Sequence, residues 1–250
     1  MTAQAQTKTH QLFDNISDLF SGNNKPNQMA LARMKREAES VCKVNDVEGQ
    51  ILLGMIACSE VNVKSCKKHH ELAISRSIDD DTPYLNYAKS LDLLGLSNEA
   101  FQKIKNGLSA YPHSPDLISF AIHTAIDSGH PDDVDDYCDA LNKITPDKND
   151  PEIIDLKRLA NKFSKSGITN DIASPLMKLA NDLIFNNRLH SFSKTFFTDE
   201  VESNIDIYCW IEIDANPAKV VEMNMELCEQ IANDPYFCDK NTFSIAYRSR

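Results

Sequence analysis

The residues best suited to chemistry lie in one short run, Cys66 to His70, with Cys58 upstream of it. On a helix, Cys66 and His70 are four residues apart and share a face, so they could bind the same metal ion. A structural zinc site takes four ligands, usually in two closely spaced pairs, and this run offers no second pair. We therefore interpret these side chains as packing residues and expect neither a metal ion nor a cofactor.

The remaining cysteines and histidines form no catalytic motif. The chain has seven of each, but it lacks the G-x-S-x-G elbow of serine hydrolases, the H-E-x-x-H zinc motif and a glycine-rich phosphate loop. We therefore expect a protein that is not an enzyme, with no catalytic residue. An enzyme with its site near the C-terminus stays open as an alternative.

The composition favours helices and an acidic surface. Only 7 glycines and 1 tryptophan are present, and the formal net charge is −11. Sandwiches and barrels need many tight turns, so a supply of glycine this small indicates a mainly helical chain. No segment carries the basic stripe that binds phosphates, which excludes nucleic acid as an expected partner. A neutral to basic protein partner is more compatible with this negative net charge.

The N-terminal residues, the apolar stretches and the cysteines together indicate the cytoplasm as the expected compartment. Residues 1–15 are polar, without the apolar core of a signal peptide. No apolar stretch approaches the length of a membrane span, so no membrane partner is expected. The odd number of cysteines, none in a C-x-x-C pair, is typical of reduced thiols in the cytoplasm. A protein exported by a non-cleaved signal would look the same.

A repeat of 34 residues organises residues 47–148. Small or apolar residues occupy fixed places in the unit that starts at Asp81, namely Ala88, Leu91, Leu94, Gly95, Ala100, Ile104, Gly107 and Pro112. The matching places are taken 34 residues later by Ile122, Ala125, Gly129, Val134, Cys138, Leu141 and Pro146, and 34 residues earlier by Gly54, Ala57, Cys66, His70 and Ala73. Small residues let paired helices approach, glycine ends the first helix, and proline stops the second.

This pattern resembles the tetratricopeptide-repeat family over residues 47–148, and the middle unit matches it best. The resemblance implies three helical hairpins in an α-α superhelical array with a concave partner-binding face. In that register the concave face includes Ile51, Met55, Leu85, Asn86, Lys89, Asp92, Ser119, His123 and Asp127. Only Asn86 and Lys89 suit capture of a terminal carboxylate, so we expect instead a peptide with apolar and basic side chains.

The flanking segments have different expected roles. Residues 1–46 are predicted to form helices that cap the array. Residues 149–187 are predicted to supply closing helices at Pro151 to Lys165 and Pro175 to Phe185. From residue 188 the period changes to that of strands, and Asn216 with Pro217 begins a helix. Residues 188–250 therefore read as a small α+β module of order β-β-α-β, whose last strand is expected at Thr242 to Tyr247.

Tyr208 and Trp210 lie opposite the apolar face of their predicted strand. They are candidate partner-binding residues, unless that face packs on the helices. The fold class expected is mainly α, with a small α+β module at the C-terminus that could mediate homodimerisation. The function expected is a non-enzymatic scaffold or adaptor. The alternatives are a chaperone-like protein, similar to the small acidic chaperones of secretion translocators, or an immunity-type protein that masks a toxin.

Overall fold

The computed structural model describes residues 3–21, 27–146, 150–201, 204–237 and 243–250. They form α1 (Ala3–Ser21), α2 (Gln28–Cys42), α3 (Asp46–Ser59), α4 (Val63–Arg76), α5 (Thr82–Leu93), α6 (Ser97–Ala110), α7 (Pro115–Asp127), α8 (Val134–Ile144), α9 (Pro151–Lys165), α10 (Asn170–Asn186), β1 (Ser191–Val201), β2 (Asn204–Ile213), α11 (Pro217–Asn233) and β3 (Phe243–Ser249). The protein is mainly α with a C-terminal α+β region, which confirms the predicted fold class. Among these helices, none is long and apolar enough to span a bilayer.

Helix pairs coincide with the three predicted repeat units. Gly95 and Gly129 adopt φ of +74° and +77°, as expected for residues that follow the first helix of a pair. Ala88 and Ala100 are fully buried, and helix α6 ends before Pro112. The predicted boundary at Lys148 lies outside the described residues. The likeness to tetratricopeptide repeats stays a prediction.

The chain divides into two compact units, Met1–Leu91 and Asp92–Arg250. In the first unit, α1 and α2 pack on α3 around Leu12, Ile16 and Leu52, all buried. Asn45 and Asn62 begin α3 and α4 by accepting hydrogen bonds from backbone N–H groups of the first turn. Helices α1 and α2 thus cover the first predicted hairpin.

Helix α10 corrects one prediction. It begins at Asn170, and Pro175 lies inside it rather than at its start. Proline has no N–H group, so the carbonyl of Asp171 loses its helical hydrogen bond. The Tyr236 hydroxyl donates to that carbonyl instead, which explains how the helix tolerates proline here. By contrast, Pro151 and Pro217 begin α9 and α11 as expected.

The second unit ends in a three-stranded sheet of order β1-β2-β3. Strands β1 and β2 are antiparallel, and β2 and β3 are parallel, connected through α11. Ile207, Cys209 and Ile211 face a core that includes buried residues of α10 and α11. The β-β-α-β order was predicted, but β3 runs to Ser249, and Thr242, the predicted start, lies outside the described residues.

Candidate functional site

Predicted concave-face residues of the first unit differ widely in accessibility. Ile51 is only 2% exposed, so its side chain contributes to the core and offers almost no surface to a partner. Met55 and Leu85 are half-buried, and Met55 packs against the core shared with α1 and α2. Asn86 donates to the carbonyl of Thr82 in its own helix, while Lys89 is exposed. In this unit, therefore, Lys89 is the predicted contact with the greatest accessibility.

In the second unit, the structure gathers two of the predicted residues around a lysine that sequence analysis did not select. Lys194 Nζ on β1 lies 3.1 Å from Asp92 Oδ1 and 3.1 Å from Ser97 Oγ. Ser97 Oγ in turn donates to Asp92 Oδ1 at 2.5 Å. Asp127, at the end of α7, interacts electrostatically with both Asp92 and Lys194. These four side chains are called the Lys194 cluster below.

Burial and neighbouring charges shift the pKa values of Lys194 and Asp127 in the Lys194 cluster. The Lys194 side chain is only 2% exposed. Its desolvation lowers the pKa of Lys194, but the charges of Asp92 and Asp127 outweigh that effect and leave the pKa raised. Burial also raises the pKa of Asp127 to about 7, with Lys194 opposing and Asp92 adding to the shift. One lysine thus holds two carboxylates, and Asp127 carries a proton more readily than an ordinary aspartate.

The raised pKa of Asp127 predicts that stability falls as pH rises. Between about pH 4 and pH 7 the folded chain holds a proton that the unfolded chain has released, so the free energy of unfolding decreases across that range. We expect Asp127→Asn to reduce the difference in unfolding free energy between pH 5 and pH 8 by about 2 kcal/mol. Urea titrations at both pH values measure it. Asp116→Asn, at an exposed position of the same helix, should leave the difference unchanged.

The geometry of the Lys194 cluster suits a structural role, in which the lysine attaches β1 to the helices, better than a catalytic one. A lysine that is almost completely buried cannot reach a substrate, whereas it can hold β1 against Asp92 and the first residue of α6. The sequence did contain one indication of this role, which is the alternation of side chains between the two faces of β1. Lys194 is two residues from Phe196, so it falls on the strand face that packs on the helices.

The other two predicted contacts of the second unit lie on α7. His123 Nδ1 is 3.7 Å from Glu152 Oε1 at the start of α9, and both Ser119 and His123 are half-buried. The contact between α7 and α9 therefore reduces the surface that His123 presents to a partner.

The outer face of the sheet groups three exposed aromatic rings among the described residues of the second unit. Phe197, Tyr208 and Trp210 are 44%, 37% and 46% exposed. Phe197 pairs with Tyr208 across the strands, and its ring meets that of Trp210 edge-on with centroids 5.1 Å apart. The Arg248 guanidinium lies 5.7 Å from the centre of the Trp210 ring. We call these three rings the aromatic face. It includes both predicted residues, Tyr208 and Trp210, and adds Phe197.

The cysteine and histidine cluster is buried in the first unit. His70 Nε2 lies 2.9 Å from Ser90 Oγ, and its ring stacks on Tyr87 with centroids 5.1 Å apart. Cys58 donates to the carbonyl of Ser90 at 3.4 Å. Within the described residues, no group of three or more histidine, cysteine or acidic side chains is placed to hold a metal ion. These contacts are those of packing residues.

Comparison with known proteins adds no family to these observations. No protein-family model, no curated protein and no solved structure matched the chain.

Proposed function

We propose that this protein is a non-enzymatic scaffold that binds a protein partner, and that the aromatic face is its principal contact. The observation that carries the proposal is the exposure of three aromatic rings on two adjacent strands. Tryptophan and tyrosine are enriched among the residues that dominate binding energy at interfaces. Exposed apolar patches on a protein surface often mark interaction sites.

Two of the three rings are supported by contacts within the sheet. Phe197 supports Trp210 from the side, and Arg248 lies over the Trp210 ring. Residues on paired strands keep fixed spacing, so little side-chain freedom remains to be lost on binding. Preorganisation of this kind favours a surface that binds its partner without rearrangement.

The charges beside the rings indicate the chemistry of the partner. Asp199 and Asp206 are directly opposite each other on adjacent strands, one pair beyond Phe197 and Tyr208 on the same face. Like charges placed opposite each other destabilise a sheet. A lysine or arginine of a partner would relieve that repulsion while its apolar neighbours cover the rings. The proposed partner is therefore neutral to basic, with apolar anchors.

The predicted concave-face residues of each unit remain part of the proposal, with a reduced role. In the second unit, Asp92 and Asp127 interact with Lys194 of the same chain, so these carboxylates already have a cation.

Chaperone-like masking of a client and inhibition of a toxin would use the same aromatic face. The identity of the partner separates them, since a secreted client supports a chaperone and a toxic enzyme supports an inhibitor. A dimer in light scattering that the aromatic face holds together would instead support homodimerisation.

The test is a comparison of two variants of the second unit. In the first, Phe197, Tyr208 and Trp210 are replaced by threonine, which keeps β propensity. In the control, Val221→Thr and Met225→Thr remove exposed apolar side chains from α11. Wild type and control should capture the same stoichiometric protein from cells of the native host. The triple variant should bind that purified protein at least about 100-fold more weakly, since it loses contacts worth about 3 kcal/mol.

Circular dichroism should show that all three proteins fold. Threonine at the three positions costs the sheet only cross-strand pair energies of about 0.2–1 kcal/mol each. Equal affinity of the triple variant and wild type would reject the aromatic face as the contact. Turnover of a substrate that survives in the triple variant would support the enzyme alternative.

A further inference from the structure

Strand β1 has a free edge. It is 11 residues long and, among the strands that the structure describes, pairs with β2 alone, since it lies at the end of the sheet. Alternate residues of such an edge direct their N–H and C=O groups away from the paired strand. At the opposite end of the sheet, Asn224 of α11 bonds to both the N–H and the C=O of Tyr247 on β3, at 2.8 and 3.0 Å. A side chain thus covers part of the β3 edge.

A groove of about 640 Å³ runs along the free edge of β1. Thr195, Phe196 and Thr198 line one wall, together with the largely buried Lys194. Successive residues of a strand point to opposite faces, so a groove that touches both Thr195 and Phe196 lies at the edge of the strand. The opposite wall is a stripe of α9 with apolar Leu156 and Leu159 at its centre. The volume is in the range of ligand pockets, about 300–1,000 Å³.

The two ends of the groove carry opposite charges. Glu152 and Asp155 lie at one end, on the first turns of α9. Lys162 lies at the other end, where its Nζ is 2.7 Å from Thr198 Oγ1 and 2.9 Å from Glu200 Oε1. Arg158, which also lines the groove, pairs with Asp155 at 2.9 Å, and Glu152 lies 3.7 Å from His123. Both carboxylates are nevertheless largely exposed and accessible to a further cation. A ligand with its cation at the Glu152 end and its anion at the Lys162 end would match this arrangement.

We propose that an extended segment of a partner polypeptide binds in this groove and pairs with β1 as a fourth strand. Its backbone exchanges hydrogen bonds with the free N–H and C=O groups of β1. Every second side chain points toward Leu156 and Leu159, so the segment carries apolar residues at alternate positions. A basic residue lies at the Glu152 end and an acidic residue at the Lys162 end. This inference concerns the edge of the sheet and does not depend on the aromatic face.

The experiment selects heptapeptides from a random phage-displayed library on the intact chain. An enriched sequence is then synthesised, and its affinity is measured by fluorescence anisotropy. Leu156→Lys places a charge in the groove and should weaken binding by about tenfold or more, a loss of about 1.4 kcal/mol. Ile154→Lys is the matched control, because Ile154 is exposed on α9 outside the groove and should not alter binding.

Two further measurements test the backbone pairing itself on the wild-type protein. N-methylation of alternate amides in the synthetic peptide should abolish binding in one of the two registers, because it removes donors that face β1. Hydrogen exchange of residues 194–198 should slow when peptide is added. These readouts hold even if Leu156→Lys unfolds the chain.

Several outcomes would overturn the proposal. They are enrichment of no peptide, affinity that is insensitive to N-methylation in both registers, and protection confined to β2 and β3. Loss of peptide binding on substitution of Trp210 alone would move the site to the aromatic face. A dimer in light scattering whose residues 194–198 are protected without peptide would assign the edge to a second copy.

Discussion

Replacement of Lys194 by methionine is expected to lower the free energy of unfolding by about 3 kcal/mol at pH 8. Methionine keeps most of the apolar length of the side chain, so the change removes chiefly the charge. Asp92 and Asp127 then lose the cation that offsets their burial and their mutual repulsion. The single tryptophan, Trp210, lies in the same unit, so its fluorescence in urea reports the loss.

The matched control is Lys178→Met. Lys178 also pairs with an aspartate, Asp182, but both side chains are largely exposed and four residues apart on one helix. Exposed pairs of this kind contribute only about 0.3–0.5 kcal/mol. If the two methionine variants lost similar stability, the Lys194 cluster would not attach β1 as we infer.

The deficit of Lys194→Met should also depend on pH. At pH 5, Asp127 is already protonated in the folded chain, because burial raises its pKa to about 7. Fewer uncompensated charges then remain after the lysine is removed, so the loss of stability should be smaller than at pH 8. Addition of Asp127→Asn to Lys194→Met should recover part of the loss at pH 8. A deficit that is equal at both pH values would assign it to packing rather than charge.

Replacement of Gly129 by alanine is expected to cost about 3 kcal/mol. Gly129 has a φ of +77°, where a Cβ atom is strained by about 1–2 kcal/mol. Its ideal Cβ would also lie 2.5 Å from the carbonyl carbon of Ala173 on α10. That contact is with backbone, so α10 would have to move. Chemical denaturation of the variant measures the cost.

Gly167→Ala separates the two contributions. Gly167 has a similar φ of +72°, but no atom lies within 4 Å of its ideal Cβ. It should therefore show only the conformational cost, about 1–2 kcal/mol. Equal costs at the two positions would mean that α10 does not pack closely on the turn between α7 and α8.

These predictions bear on how the proposed binding surfaces are held in place. The Lys194 cluster fixes the inner side of β1, while Phe197 of the same strand belongs to the aromatic face. The free edge of β1 lies between those two sides. Loss of Lys194 would thus disturb both surfaces through one strand, and partner-binding assays on Lys194→Met must be read together with its stability.

Local features of this chain were predictable from its residues alone. Helices α9 and α11 begin at prolines preceded by Asp150 and Asn216, whose side chains accept hydrogen bonds from the first turn. The strand that contains Ile207, Cys209 and Ile211 follows from alternation with a period of two. Such signals depend on neighbours a few residues apart, so they survive without knowledge of the rest of the fold. The prediction at Pro175 was wrong for the same reason, since the hydroxyl that compensates for it belongs to Tyr236, which is 65 residues from the Asp171 carbonyl that it reaches.

Residues 47–148, which carry the predicted repeats, also combine local features that the sequence predicts with contacts that it does not. In the second and third predicted units, glycines and prolines by themselves indicated where helices end, because each acts on its own turn or helix end. Gly95 follows α5 and Gly129 follows α7, while Pro112 and Pro146 lie just beyond α6 and α8. Only the tertiary structure decided that Ile51 is buried, that Asp92 and Asp127 meet Lys194, and that the aromatic face is left open. Lys194 and Asp92 are 102 residues apart. An ion pair over that separation depends on how distant elements pack, and no local pattern in a single sequence specifies it.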